Sequence, residues 1–315
     1  MPRVVVPWLL CMMLLVGVMP VHAAPEGATM RASLAADGRM RSYLVHLPPG
    51  YDGTTPMPLV MILDGRGGDG AGIENLSRFD AVADTNSLIA VYPDGVLRSW
   101  ANGNGVSPAD RMGVNDVAFI AALLDRLERD YAVDVARMYV VGISNGGYMA
   151  ERLVCDLPDR FAAVGVVSAA VSGALEQSCP AGPTIPVVLM HGTNDPIVPA
   201  SGVMVAGQGG AILSTVDSVA FWVNRNSCTT PPAITEIPDM VSDGTHIHKE
   251  VYTGCRDGAD VTYYEMQGAG HIWPGGPQYL PVRIIGKTTK NLDGSAALWD
   301  FFVTHPKQPA QVSPA

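Results

Sequence analysis

Short, unbroken apolar runs recur along this chain, and they restrict its fold more than any other feature. Leu59-Val60-Met61-Ile62-Leu63 has no polar position on either side. A strand with one face in water alternates, whereas a strand that is apolar throughout needs cover on both faces. Largely apolar runs of strand length span Tyr43 to Leu47, Leu88 to Tyr92, Met138 to Gly142, Ala163 to Val167, Val187 to Met190 and Thr262 to Met266, the first interrupted by His46 and the last by Glu265. Helical patterns separate them. In the clearest, from Asn115 to Tyr131, Val117, Ile120, Ala121, Leu124 and Leu127 follow the helical period, Asp125, Arg126, Glu128 and Arg129 face away, and Asn115 caps the start. This alternation predicts an α/β fold, a mainly parallel sheet with helices on both faces. Gly- and Pro-rich stretches at 64–72, 101–113, 172–186, 199–210 and 270–281 are spread along the chain, which predicts one domain with functional loops over 24–305 and a disordered tail over 306–315.

A core of this kind fits 315 residues that are 48% hydrophobic and only 16% charged, which excludes a disordered chain. Thirty acidic against 20 basic residues give a formal charge of -10, so the chain repels phosphate backbones and anionic lipid, and no nucleic-acid partner or stable membrane association is expected.

The first 23 residues read as an export signal. Arg3 supplies the positive start, Val4 to Val18 the apolar run, and Val21-His22-Ala23 the small-residue cleavage pattern. The run falls short of the roughly 18 to 20 residues that span a bilayer. Removing it takes Cys11 and leaves Cys155, Cys179, Cys228 and Cys255, an even set suited to an oxidising compartment, extracellular or periplasmic. Three connectivities are possible; Cys155 with Cys179 and Cys228 with Cys255 is favoured because each closes a modest loop. The four lack the close paired spacing of a metal site. His246 and His248 flank Ile247 on what reads as an exposed strand, where metal binding is the minor alternative.

Chemistry concentrates in three places. Met138 to Ala150 carries Gly142-Ile143-Ser144-Asn145-Gly146 between a strand and a helix, the pattern of a nucleophile elbow. There a strained turn lifts a serine hydroxyl above the sheet, and the Asn145 amide at the helix start points to where an oxyanion would form. A serine needs a base, and the base an orienting carboxylate. Asp195 lies in a loop just past the strand that ends near Met190, where ligand sites gather in such sheets. His271, in Gly268-Ala269-Gly270-His271-Ile272-Trp273-Pro274, completes the order serine, acid, histidine. His191 reads as a packing residue, and Trp222 and Trp299 as core. Trp273 and Trp100, in loops after strands, are the expected cleft walls.

Taken together, the elbow, the His191-Gly192-x-x-Asp195-x-x-Val198-Pro199 segment and the Gly-x-Gly-His-x-Trp-Pro-Gly-Gly segment resemble the secreted esterase family of polyhydroxybutyrate depolymerases and feruloyl or acetylxylan esterases. Ser144 to Met149 and Leu157 to Ala163 add to the match, which covers most of residues 40–304. The resemblance implies an α/β-hydrolase fold, no metal or organic cofactor, and hydrolysis of carboxylic esters by Ser144, Asp195 and His271. One departure stands out. The family commonly carries His-Gly in the loop that supplies the second oxyanion amide, and this chain reads Leu63-Asp64-Gly65-Arg66-Gly67-Gly68. The Arg66 amide is the expected donor there, with the Arg66 side chain a possible counterion for Asp64.

The expected reaction is acyl transfer through an acyl-enzyme. The expected mature length leaves little room for a separate polymer-binding module after residue 304, which favours oligomers, soluble esters or amorphous polyester over a crystalline surface; short-chain polyester or its oligomers rank first as substrate, and feruloyl or acetylxylan esters rank second. An inactive exported binding protein of the same fold, which Asp64 could signal, is the alternative of another class, and a peptidase comes third.

Overall fold

A computed structural model describes residues 27–179, 182–204 and 211–307; the expected export signal lies outside them. Twelve strands occur among these residues: β1 (Ala28–Ala36), β2 (Arg39–Leu47), β3 (Met57–Leu63), β4 (Ile89–Pro93), β5 (Val133–Ile143), β6 (Ala163–Val167), β7 (Val187–Gly192), β8 (Val203–Met204), β9 (Ala211–Ile212), β10 (Ala233–Ile237), β11 (His246–Tyr252) and β12 (Val261–Gln267). The helices are α1 (Gly70–Ser77), α2 (Phe79–Asn86), α3 (Pro108–Arg111), α4 (Asp116–Asp130), α5 (Asn145–Asp156), α6 (Gly173–Ser178), α7 (Thr215–Arg225), α8 (Val282–Ile285) and α9 (Gly294–Val303).

Ten strands form one sheet in the order β1-β2-β4-β3-β5-β6-β7-β12-β11-β10, and β8 with β9 forms a small separate ladder. The six strands from β4 to β12 in that order pair in parallel, and the edge pairs are antiparallel. The strand-length apolar runs after the export signal all fall in strands of this sheet, and β3, β4 and β6 are buried throughout. Successive residues of β3 face opposite layers. Leu59, Met61 and Leu63 join Phe119, Leu153 and Trp222 beneath α4, α5 and α7. Val60 and Ile62 join Phe79, Leu298 and Phe302 beneath α1, α2 and α9. β1 and β10, on the two edges, lack such a run, because their residues are only half-buried or exposed.

The first turn of α4 departs from its expected pattern. Asn115 caps it as read, accepting from the Ala118 amide, but the buried stripe runs through Phe119 and Leu123 rather than Val117 and Ala121. It also includes Asp116, which pairs with Arg41 at 2.7 Å and accepts the Ala101 amide at 2.7 Å. A charge thus joins β2, α4 and the loop after β4 inside the protein.

The Cys155–Cys179 and Cys228–Cys255 disulfides both form, fixing the end of α5 to α6 and the end of α7 to the turn before β12. The chain end is ordered further than expected. Lys307 donates its amide to the Ala136 carbonyl at 2.8 Å and its ammonium to the Asp159 carbonyl at 2.6 Å, so order extends past Pro306. The rest of the expected tail, 308–315, lies outside the described residues.

Candidate active site

β5 runs into α5 through Ser144, whose φ of 55° and ψ of -120° are strained for a residue with a side chain. Two glycines permit the turn. A Cβ on Gly142 would stand 2.1 Å from the Gly146 carbonyl oxygen, and one on Gly146 would stand 2.4 Å from that of Asp64. The Ser144 amide donates to Val167 at 2.9 Å and its carbonyl accepts from Tyr148 at 3.1 Å, so backbone bonds on both sides hold the strained residue.

Asp195 follows β7 and is buried. Its Oδ1 accepts the amides of Ile197 and Val198 at 2.7 and 2.8 Å, which leaves Oδ2 to meet His271 Nδ1 at 2.7 Å. A carboxylate only accepts, so Nδ1 carries the proton and Nε2 is the basic nitrogen. The His271 main chain is fixed as well, donating to Ile285 at 2.6 Å and accepting from the Tyr279 hydroxyl at 2.9 Å. His191 packs beside Asp195 as expected; its Nε2 lies 2.8 Å from the Val198 carbonyl oxygen, and burial pushes its pKa down.

Ser144 and His271 line one cavity of about 820 Å³ at the carboxyl ends of the parallel strands. Its apolar wall is mainly aliphatic, with Ile73, Leu76, Ile143, Ile197 and Ile284 joined by the rings of Tyr148 and Tyr279, and Asn102, Asn104 and Ser107 contribute polar groups. These asparagines and Tyr279 carried no individual signal in the sequence, although the first two lie in the Gly-rich stretch at 101–113. A wider cleft of about 1010 Å³ between α6, α7 and Arg256 contains none of the candidate catalytic, oxyanion or substrate-binding residues.

The loop after β3 forms the opposite rim. Asp64, Gly65, Arg66 and Asn145 all line the cavity. The amides of Gly67 and Gly68 are taken by the carbonyls of Arg98 and Gly65, at 2.7 and 3.0 Å, and those of Gly65 and Arg66 precede them in the turn. Arg66 makes no ion pair with Asp64. Asp64 is 1% exposed, its Oδ1 accepts the Trp100 indole N–H at 3.0 Å, and its Oδ2 has no hydrogen-bond partner among the described residues. Burial pushes its carboxyl pKa up to about 7.

Neither tryptophan is a cleft wall. Trp100 is fully buried behind the rim, and its backbone exchanges hydrogen bonds with the Asn145 side chain, accepting at 3.2 Å and donating at 2.6 Å. Trp273 is 1% exposed in the core layer beneath α1 and α9, where its indole donates to Ser295 at 3.0 Å; its loop turns back against α9 just after His271. Trp222 and Trp299 are buried core residues as expected. On β11, His246 meets Asp239 at 2.8 Å, and His248 lies between Glu236 and Glu250. Among the described residues no group of three or more His, Cys, Asp or Glu is arranged to hold a metal, and no helix is long and apolar enough to cross a membrane.

Residues 41–198, half of the chain, match the family model described as Esterase PHB depolymerase. A putative esterase, NocK, of Nocardia uniformis subsp. tsuyamanensis is 28% identical over 90% of this chain and 86% of its own. Feruloyl esterase C of Emericella nidulans is 29% identical over 90% of this chain and 93% of its own. Among solved structures, an acetyl xylan esterase from Aspergillus awamori superposes with a TM-score of 0.58 at 12% identity, covering 78% of this chain and 94% of that one. That likeness carries the fold, an α/β-hydrolase.

Proposed function

The chain belongs to the Esterase PHB depolymerase family and is a serine carboxylic ester hydrolase, and we propose that Ser144, Asp195 and His271 form its catalytic triad. Ser144 attacks the ester carbonyl while His271 Nε2 takes its proton, and Asp195 orients the imidazole and stabilises its charged form. The amides of Asn145 and Arg66 receive the oxyanion, each worth on the order of 100- to 1,000-fold in rate. His271 then protonates the leaving alcohol, and water, deprotonated by the same histidine, releases the acid. The observation that carries this reading is the 2.7 Å contact of Asp195 with His271 beside a cavity that Ser144 also lines.

The mainly aliphatic wall favours a short acyl group, so short-chain hydroxyalkanoate polyesters and their oligomers are the first-ranked substrates, although Tyr148 and Tyr279 also line the cavity. A feruloyl or acetylxylan ester is the second reading, supported by the feruloyl esterase C relative that aligns along 90% of the chain. Two disulfides and the export signal support a site of action outside the cytoplasm. The purified chain should be compared on poly(3-hydroxybutyrate) film, soluble hydroxybutyrate oligomers, methyl ferulate and acetylated xylan. Faster release from the oligomers supports the first ranking, and faster release from methyl ferulate or acetylated xylan replaces it. Retention of p-nitrophenyl ester hydrolysis by Ser144→Ala would overturn the triad, and amide cleavage as fast as ester cleavage would make the chain a peptidase.

A further inference from the structure

The loops that carry the two oxyanion amides come from distant parts of the chain, and one residue joins them. Asn145, directly after the nucleophile, holds the backbone of Trp100 through both ends of its side-chain amide. The Trp100 indole N–H reaches the other way, to the Asp64 carbonyl at 3.1 Å and to Oδ1 at 3.0 Å. Asp64 leads into the Gly65-Arg66 turn, where a Cβ added to Gly65 would lie 3.4 Å from the Ser144 Cβ. The whole connection is buried.

We propose that Trp100 and Asp64 are positioning residues for the oxyanion hole, with Trp100 bridging its two halves and Asp64 serving in its uncharged, protonated form. This rests on the acyl-transfer reading above. A carboxylate at this rim would oppose the negative charge that develops on the substrate oxygen, and burial strengthens that opposition by weakening solvent screening. The surroundings favour the neutral form. Oδ2 has no donor among the described residues, and burial raises the pKa to about 7 despite the Trp100 hydrogen bond, which lowers it. Asp94, just after β4, and Asp69, the cap of α1, make smaller contributions to that rise. Those two are themselves paired with Arg31 and Arg98, each at 2.9 Å. The other charges around this rim are Arg66 on the turn, His271 on the cavity wall, and Arg152, which donates to the Ala101 carbonyl and pairs with Asp156 on α5.

The test is the pH profile of kcat/KM on p-nitrophenyl butyrate, with a thermal melt at each pH to verify the fold. The wild-type profile should fall about tenfold or more on its alkaline side as Asp64 ionises. Asp64→Asn, which cannot ionise, should lose the alkaline fall. Trp100→Phe, lacking the donor that favours the charged form, should move the fall to higher pH and lower kcat about ten- to a hundredfold with KM nearly unchanged. A wild type with no alkaline fall, or an Asp64→Asn profile that overlays it, overturns the proposal. If Asp64→Asn does not fold, the displacement of the fall in Trp100→Phe decides, and a profile and kcat equal to wild type overturn it. Ser144→Ala separates the two levels: if it is inactive, acyl transfer stands and the Asp64 and Trp100 variants alone decide the proposal, whereas activity in it overturns the acyl-transfer reading and this proposal together.

Discussion

Asp195 and Asp64 are both buried carboxyl groups at the carboxyl edge of one sheet, one on either side of the strand that ends at Ser144, yet their surroundings differ in kind. Asp195 receives two amides and an imidazole, so both of its oxygens are engaged. Asp64 receives one indole N–H on Oδ1, and burial raises its pKa to about 7. The same functional group is therefore fitted to opposite tasks by its donors. Where charge must persist beside a histidine, the backbone solvates it; where charge would oppose the reaction, solvation is withheld.

Asp195→Asn probes this difference most strongly. The amide keeps the shape but reverses the donor relation with Nδ1, turning the imidazole to the wrong tautomer, and kcat should fall on the order of 10⁴-fold. A loss below about tenfold would mean that Asp195 does not orient His271. The next largest effect concerns the scaffold that presents His271. Replacing Cys228 and Cys255 with alanine opens a loop closed across 27 residues, and urea denaturation should show a loss of about 3 to 4 kcal/mol. Loss of kcat/KM without loss of stability would instead tie that disulfide to the site itself.

The acid–base side was more legible in the sequence than the oxyanion side, and the reason is physical. Gly142, Gly146, Asp195 and His271 occur in short segments whose residue types are set by local backbone geometry, so the pattern survives in one dimension. Gly270 is an example: a Cβ there would stand 1.9 Å from the Ile285 carbonyl oxygen, leaving no alternative residue. The parallel core was equally plain, because strands covered on both faces cannot hide their apolar runs. The bridge from Asn145 through Trp100 to Asp64 was not legible, since it links positions 45 and 36 residues apart through bonds to backbone atoms that any residue possesses. Asp116 escaped for a related reason: its partner Arg41 lies 75 residues away, and a charged residue in a first helical turn reads as solvent-facing.

Glu151 extends the comparison to stability. It lies on α5 with Oε1 accepting the Trp222 indole at 3.1 Å and Oε2 without a partner among the described residues, and burial raises its pKa from 4.5 to about 8. The folded chain keeps a proton that the unfolded chain releases, so this contribution to stability is complete below pH 4.5 and is lost as pH rises through about 8. Glu151→Gln removes that slope but leaves a buried NH₂ short of an acceptor. The variant should be less stable than wild type in acid, by about 1 to 2 kcal/mol, and overtake it in mild alkali. Parallel stability curves across that range would show that Glu151 is ionised in the folded protein.

Trp273→Phe gives the smallest effect and the cleanest contrast with Trp100. Both indoles are buried and both donate to a named acceptor, but Trp100 contacts the oxyanion rim, whereas Trp273 donates to Ser295, whose hydroxyl donates in turn to the Ser77 carbonyl at 2.6 Å. That chain joins the His271 loop to α9 and α1 behind the cavity wall. Phenylalanine keeps most of the buried area and removes one hydrogen bond, so the cost should be about 1 kcal/mol in urea denaturation. The ratio of kcat/KM between p-nitrophenyl acetate and butyrate should not change, because no atom of Trp273 lines the cavity. A shift in that ratio with unchanged stability would return Trp273 to the substrate's path and make proximity to His271 in sequence the better guide to its role.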